Sequence, residues 1–308
     1  HPPYSIMNRR CFLAHSGAVL PAMALARGPI DRSGSPHLRL SLAAYSFRSH
    51  YPWFKGKAQK PAGGQAMSLP SFVDYCADHR IPAAELTTYF FPPDTSQEDL
   101  FHLRRLAQHR GVTISGTAIG NNFGLAPGPA LHAEIAQAKQ WIEKTALLGA
   151  SHIRFFAGKA KDFVQDPSRM ESSIAALQEC ADHAGQHGVV IGVENHGNLS
   201  VGQMLEILES VDSPWMGMNL DTANFPVTTD QEVNEAVTRC LPYAVNVQVK
   251  VRRKLPSPET EKVDVDLAEM ISLLRQGGYQ GFVVLEYEEE LPFERIPETM
   301  DTLRQLLA

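Results

Sequence analysis

Four short segments in the second half of the chain carry polar residues where a buried strand would carry apolar ones. They are GVENHG (192–197), NLDTANF (219–225), VQVK (247–250) and VLEYE (284–288). Residues two apart share one face of a strand. Gly192, Glu194 and His196 are thus in phase, as are Gly217, Asn219 and Asp221, then Asn246, Gln248 and Lys250, then Phe282, Val284, Glu286 and Glu288. Burying an unpaired carboxylate costs several kcal/mol, and carboxylates that converge repel one another. A single divalent cation resolves both difficulties. Glu194, Asp221 and Glu286, with the amide oxygen of Gln248, make an all-oxygen set that suits Mn²⁺ first, then Mg²⁺, with Co²⁺ able to substitute. The competing reading is a ring of solvated charges around an open mouth.

The elements that must position these residues alternate regularly. Short β-rich runs occur at 38–48, 83–90, 112–120, 152–158, 189–197, 216–224, 244–252 and 281–290. Between them lie helical patterns at 68–80, 97–110, 131–149, 169–187, 200–211, 231–241 and 265–276, with a last one from about 297 to 307. Glycines 111, 149, 188, 277 and 278 mark helix-to-strand turns. Eight β–α units in this length predict an α/β fold, a single (β/α)₈ TIM barrel. A doubly wound sheet is the rival, weakened because no GxGxxG or phosphate loop follows the first strand. The polar residues then fall at the C-terminal ends of barrel strands, where active sites form. Residues 50–67, with Tyr51, Trp53 and Phe54, make an unusually long loop on that face and are either a lid or a disordered decoration.

The 308 residues include 28 Lys and Arg against 34 Asp and Glu, a net charge of −6, which argues against a nucleic-acid partner. No stretch is long and apolar enough to span a membrane. The four cysteines, Cys11, Cys76, Cys180 and Cys240, form no CxxC pair, against a thiolate zinc site or disulfide framework. Residues 1–6 precede Met7. The text that follows, with Arg9-Arg10, a short apolar stretch and Ala24-Leu25-Ala26, reads as a twin-arginine-type export signal. The expected organisation is an N-terminal extension and signal over 1–26, a spacer over 27–37 and the barrel over 38–308, with a periplasmic or otherwise exported location. A homo-oligomer is possible.

On the four segments quoted above, the chain resembles the xylose-isomerase-like superfamily of sugar isomerases and epimerases, from about Leu38 to the C-terminus. That family holds one divalent metal with Glu, Asp, His and Glu from strands five to eight. Glu194, Asp221 and Glu286 match the carboxylates, Gln248 stands where the histidine is usual, and Asn224 stands where many members have another histidine. The resemblance implies proton abstraction beside a sugar carbonyl through an enediolate. Glu194 or Glu286 takes the proton and the other returns it, with His196 a further acid/base group and Lys250 a holder of negative charge. Glu85, His152, Arg154 and Trp53 are the expected substrate contacts, Glu85 being alternatively a buried partner for an arginine and His152, like His196, alternatively a structural hydrogen-bonding histidine; Phe54, Phe123 and Phe225 are further candidates to stack on a sugar ring, or else core or loop packing.

Export favours a free sugar or glycoside over a sugar phosphate. Loss of the C2 proton of a 3-keto-glycoside expels the C1 substituent by β-elimination, the reaction of 3-keto-glycoside lyase-like members. Reprotonation instead gives isomerisation or epimerisation. The rivals are an endonuclease-IV-like nuclease, disfavoured by the missing histidine and the net charge, a sugar-binding barrel that lost its chemistry with Gln248, and an intracellular isomerase.

Overall fold

The computed structural model describes residues 29–256 and 261–308. The twin-arginine-type segment, the start of the spacer and Cys11 lie outside the described residues. Eight parallel strands close into a barrel: β1 (His37–Ala43), β2 (Ala83–Thr87), β3 (Thr113–Ala118), β4 (His152–Phe156), β5 (Val190–Glu194), β6 (Met216–Asp221), β7 (Ala244–Val249) and β8 (Gln280–Leu285), with β8 pairing back onto β1. Helices α1 (Leu69–Asp78), α2 (Gln97–Arg110), α3 (Pro129–Leu147), the short α4 (Ala160–Gln165), α5 (Ser168–His187), α6 (Val201–Val211), α7 (Asp230–Cys240), α8 (Leu267–Gln276) and α9 (Pro292–Leu307) surround it. The single (β/α)₈ barrel expected from the alternation is the fold observed.

Local sequence accounts for the helix boundaries. Ser68, Ser96, Ser200 and Thr229 each cap a helix N-terminus in a reciprocal capping box, satisfying amides that have no partner within the helix. Gly111 and Gly188 end α2 and α5 in the left-handed region, which costs a residue without a Cβ nothing. The strands are nearly continuous buried runs, as a sheet covered on both sides requires. Three additions were not expected: α4, an antiparallel ribbon of Arg252–Lys254 with Lys262–Asp264, and a short hairpin of Trp53–Phe54 with Lys57–Ala58. The run read as one strand over 244–252 breaks at Lys250, after which the chain leaves the barrel and turns back. No helix among the described residues is long and apolar enough to cross a membrane. Cys76, Cys180 and Cys240 are buried free thiols.

Register brings the polar residues to one level. Glu194 pairs with Asn219, Asp221 with Gln248 and Val284 with Gln248, so Glu286 follows the strand end beside Lys250. Two register shifts interrupt the barrel, one just before Glu85 and one just before Asn219. Bulges of this kind re-aim side chains next to sites.

Candidate active site

At the C-terminal end of the barrel lies a cavity of about 720 Å³, bordered by Tyr45, His196, Asn224, Phe225, Lys250 and Glu288 among others. Glu194, Asp221 and Glu286 lie beneath this lining, all buried. Lys250 connects the two levels. Its Nζ is 3.0 Å from Asp221 Oδ2, 3.1 Å from Glu286 Oε2 and 2.9 Å from Glu288 Oε1, and it donates to Asn224 Oδ1 at 3.3 Å. Glu194 sits on the other side of Asn224, which donates to its Oε1 at 2.8 Å, while Arg154 Nε pairs with Oε2 at 3.0 Å. The two carboxylates expected to exchange protons therefore rest against different cations.

The electrostatics follow from burial. Burial pushes the Glu194 carboxyl up; Arg154 opposes this and Glu286 adds to it. Glu286 is raised by burial against the pull of Lys250, and Asp221 is pushed up to about 6, again by burial first. Burial works against the Lys250 ammonium, but Asp221, Glu286 and Glu288 outweigh it and hold the amine well above the ordinary lysine value. His196 packs on the Phe156 ring at 4.5 Å, and burial with Arg154 lowers it to about 4, so it is a neutral imidazole at physiological pH.

A polar belt lies deeper. Gln248 Nε2 donates to Glu85 Oε1 at 3.0 Å and Asn246 Nδ2 donates to Glu85 Oε2 at 3.1 Å. Asn219 Nδ2 donates to Gln248 Oε1 at 2.7 Å. Glu85 is 1 % exposed, and burial raises it to about 8. Its hydrogen bonds go to strand β7 amides, which leaves it a support of Gln248 and not a lining contact for a sugar. His152 is deeper than expected too. Its ring occupies the space that Gly116 and Gly192 leave on the flanking strands, neither ring nitrogen has a hydrogen-bond partner among the described residues, and burial lowers it to about 3. Arg154 spends its guanidinium on Glu194 and the Ile119 carbonyl, 2.7 Å away. Trp53 is half-buried in a short hairpin with Ala58 and borders neither this cavity nor the neighbouring one of about 420 Å³. The 50–67 loop is anchored at its start and at Gln59, with Tyr51 stacked on Phe90 at 3.8 Å and Gln59 donating to two backbone carbonyls, while residues 55–58 and 62–66 are exposed. Phe54 packs edge-on to Tyr89, Phe123 is core against Phe155, and Phe225 alone of the aromatic candidates borders the main cavity.

Sequence reasoning missed Asn224 and Glu288 as working parts. Asn224 was noted only as a departure, yet it bridges Glu194 and Lys250. Glu288 shares the parity of Glu286, a signal sufficient to find it.

The donor types at the barrel mouth, carboxylate and amide oxygens, are those a hard divalent cation takes. The oxygens come from three buried carboxylates whose charge Lys250 and Arg154 balance only in part, and Asp221 Oδ2 is buried without a hydrogen bond of good geometry. Glu194, Asp221, Gln248 and Glu286 are the residues that would hold it. Asp221 and Glu286 face the Lys250 ammonium, Glu194 faces Arg154, and Gln248 Oε1 accepts from Asn219 Nδ2 at 2.7 Å; among the described residues, the His, Cys, Asp or Glu trio with donor atoms all within 4.8 Å of one another lies elsewhere, on the outer helices.

A family model described as a xylose isomerase-like TIM barrel matches residues 73–306. No curated protein matches the chain in sequence. Among solved structures, D-psicose 3-epimerase from Clostridium cellulolyticum H10, determined with D-tagatose, superposes with a TM-score of 0.67 at 16% identity, covering 87% of this chain and 99% of that one. A xylose isomerase-like TIM barrel protein from Mycobacterium smegmatis in complex with magnesium gives 0.66 at 16%, covering 87% and 96%. The probable 3-DHS dehydratase AsbF of Bacillus anthracis gives 0.64 at 15%, covering 86% and 98%. At these identities the likeness is one of fold.

Proposed function

We propose, from the premise that this chain belongs to the xylose isomerase-like TIM barrel family, that it is a carbohydrate enzyme which removes a proton next to a sugar carbonyl and completes a β-elimination on 3-keto-glycosides. The observation that carries this reading is the pair of buried carboxylates, Glu194 on Arg154 and Glu286 on Lys250, below a cavity large enough for a sugar. One divalent ion, Mn²⁺ foremost and Mg²⁺ or Co²⁺ as substitutes, supplies Lewis acidity toward the carbonyl oxygen when bound by Glu194, Asp221, Gln248 and Glu286. A structural neighbour in complex with magnesium supports a metal.

The residues divide the work. Glu194, whose charge Arg154 supports against burial and which Asn224 orients, takes the C2 proton. The C2–H electrons form the C1=C2 bond, the C1–O bond breaks, and the leaving oxygen takes a proton from the Glu286 carboxyl, whose protonated form burial favours, while Glu194 keeps the C2 proton until it passes to solvent. The Lys250 ammonium faces the negative charge that builds on the sugar oxygens. If the leaving group stays in place, return of the proton to carbon gives an epimer or isomer. Structural neighbours include both an epimerase and a probable dehydratase, so proteins of this fold are found with either name. Export, read from the N-terminal text, favours a free glycoside over a sugar phosphate and weights the choice toward elimination.

The deciding experiment treats Mn²⁺-loaded protein with a 3-keto-glucoside in D₂O and follows it by mass spectrometry. Metal-dependent release of the aglycone is the expected result. Deuterium uptake without release would replace the lyase with an epimerase or isomerase, and neither release nor exchange would leave a sugar-binding barrel. Gln248→His is expected to keep Mn²⁺ binding in calorimetry, because an imidazole supplies a ligand at the same strand position; complete loss would show that position 248 serves the Glu85 belt and not the ion.

A further inference from the structure

The donor-atom cluster on the outer helices is far from the chemistry described above. Glu143 is on α3, and His183 and His187 are on the neighbouring helix α5. The histidines are four residues apart, one turn of helix, and so share a face. Their rings lie 4.7 Å apart at 47°, and His183 Nε2 is 3.1 Å from Glu143 Oε1. One ligand atom from each residue lies within 4.8 Å of the others.

The spacing is close to what a metal requires. Two ligands held at about 2.0–2.1 Å on a tetrahedral ion are roughly 3.3 Å apart. A cation could therefore take the place of the proton shared by His183 and Glu143 with little movement of either side chain. The next rung of the same helix pair is a Lys139–Glu179 ion pair at 2.7 Å, so Lys139 is engaged one turn away and does not cover Glu143. His183 is the partly buried member, its side chain 20% exposed, which limits its rotamers before a ligand arrives; Glu143 is half exposed and supplies the charge.

We propose that Glu143, His183 and His187 form a surface site for a borderline divalent transition metal, Zn²⁺ being the best match, with water in the fourth position. Two imidazoles and one carboxylate suit zinc and its late first-row neighbours, whereas the all-oxygen set at the barrel mouth suits Mn²⁺ or Mg²⁺. The ion would clamp α3 to α5, and its effect is on the stability of the outer helical ring. The proposal does not depend on the reaction assigned to the barrel.

Calorimetric titration of the full chain with Zn²⁺ alone, followed by thermal unfolding with and without the ion, tests it. Wild-type protein is expected to bind Zn²⁺ and to melt at a higher temperature in its presence, since an ion that binds only the folded state stabilises it. His187→Asn, a change at an exposed position that leaves the core intact, is expected to lower this affinity by more than about 10-fold, a loss that even an outer-shell change can cause, and to abolish the melting shift. His183→Asn gives the same result, and Glu286→Gln at the barrel mouth keeps the zinc isotherm of the outer helices. Absence of zinc binding to wild-type protein, or an unchanged isotherm in His187→Asn, overturns the site.

Discussion

Glu286→Gln is expected to lower turnover of the 3-keto-glycoside by about 10²–10⁴-fold, the range in which a positioned acid or base contributes, while the fold persists. The amide keeps the shape of the side chain and an oxygen for Lys250. The ammonium retains Asp221 at 3.0 Å and Glu288 at 2.9 Å, so it is not stranded. Burial already disfavours the Glu286 charge, and its removal therefore costs the folded state little. Metal retention is expected to weaken as one anionic donor is lost. Kinetics on the variant, beside a thermal melt of the same preparation, separate lost chemistry from lost structure. Turnover at the wild-type rate in a well-folded variant would remove Glu286 from the mechanism and with it the two-carboxylate reading.

Arg154→Met carries the largest expected effect on stability. It takes away the cation paired with Glu194 and leaves a carboxylate, 4% exposed, with Asn224 as its remaining side-chain hydrogen-bond partner. Breaking a buried pair from one side typically costs about 3–5 kcal/mol, and at about 2–4 °C per kcal/mol for a domain this large the melting temperature is expected to fall by roughly 10 °C. The double variant Arg154→Met with Glu194→Gln removes the stranded charge and is expected to recover a substantial part of the loss. Additive losses instead would assign the effect to packing of the guanidinium on the Phe156 ring, 4.0 Å away. The pH dependence has a definite sign. Glu194 is already raised above its unfolded value, and loss of Arg154 raises it further. The folded variant then holds a proton that the unfolded chain releases, so its deficit is small below the ordinary glutamate range and grows as pH rises through the raised folded value. Thermal melts at pH 5 and pH 8 should show the larger deficit at pH 8.

The sequence was legible where one residue's chemistry conflicted with its setting. Glu194, Asp221 and Glu286 stand at the ends of apolar runs, and that conflict pointed to positions that the structure buries together at one end of the barrel. Helix ends were legible for the same local reason: Ser96 and Gly111 bound α2 at the residues expected. Misplaced were residues whose depth depends on strands far away in sequence. His152 and Arg154 share a face of β4 and look equivalent in the text, but the glycines at 116 and 192 let the first sink into the core, while Glu194 draws the second to itself. Glu85, on the second strand, was expected either to meet a sugar hydroxyl or to pair with an arginine; its hydrogen-bond partners, Asn246 and Gln248, are 161 and 163 residues on.

By itself, then, the sequence determined the barrel, the strand ends that carry polar groups and the all-oxygen character of those groups, since periodicity, caps and residue chemistry act over a few neighbouring positions. Which cation faces which carboxylate was decided by tertiary structure alone. Lys250 meets Asp221, Glu286 and Glu288, and Arg154 meets Glu194, because closure of the barrel sets the register between strands that the chain visits far apart, and charges buried together in a low-dielectric interior must find partners there.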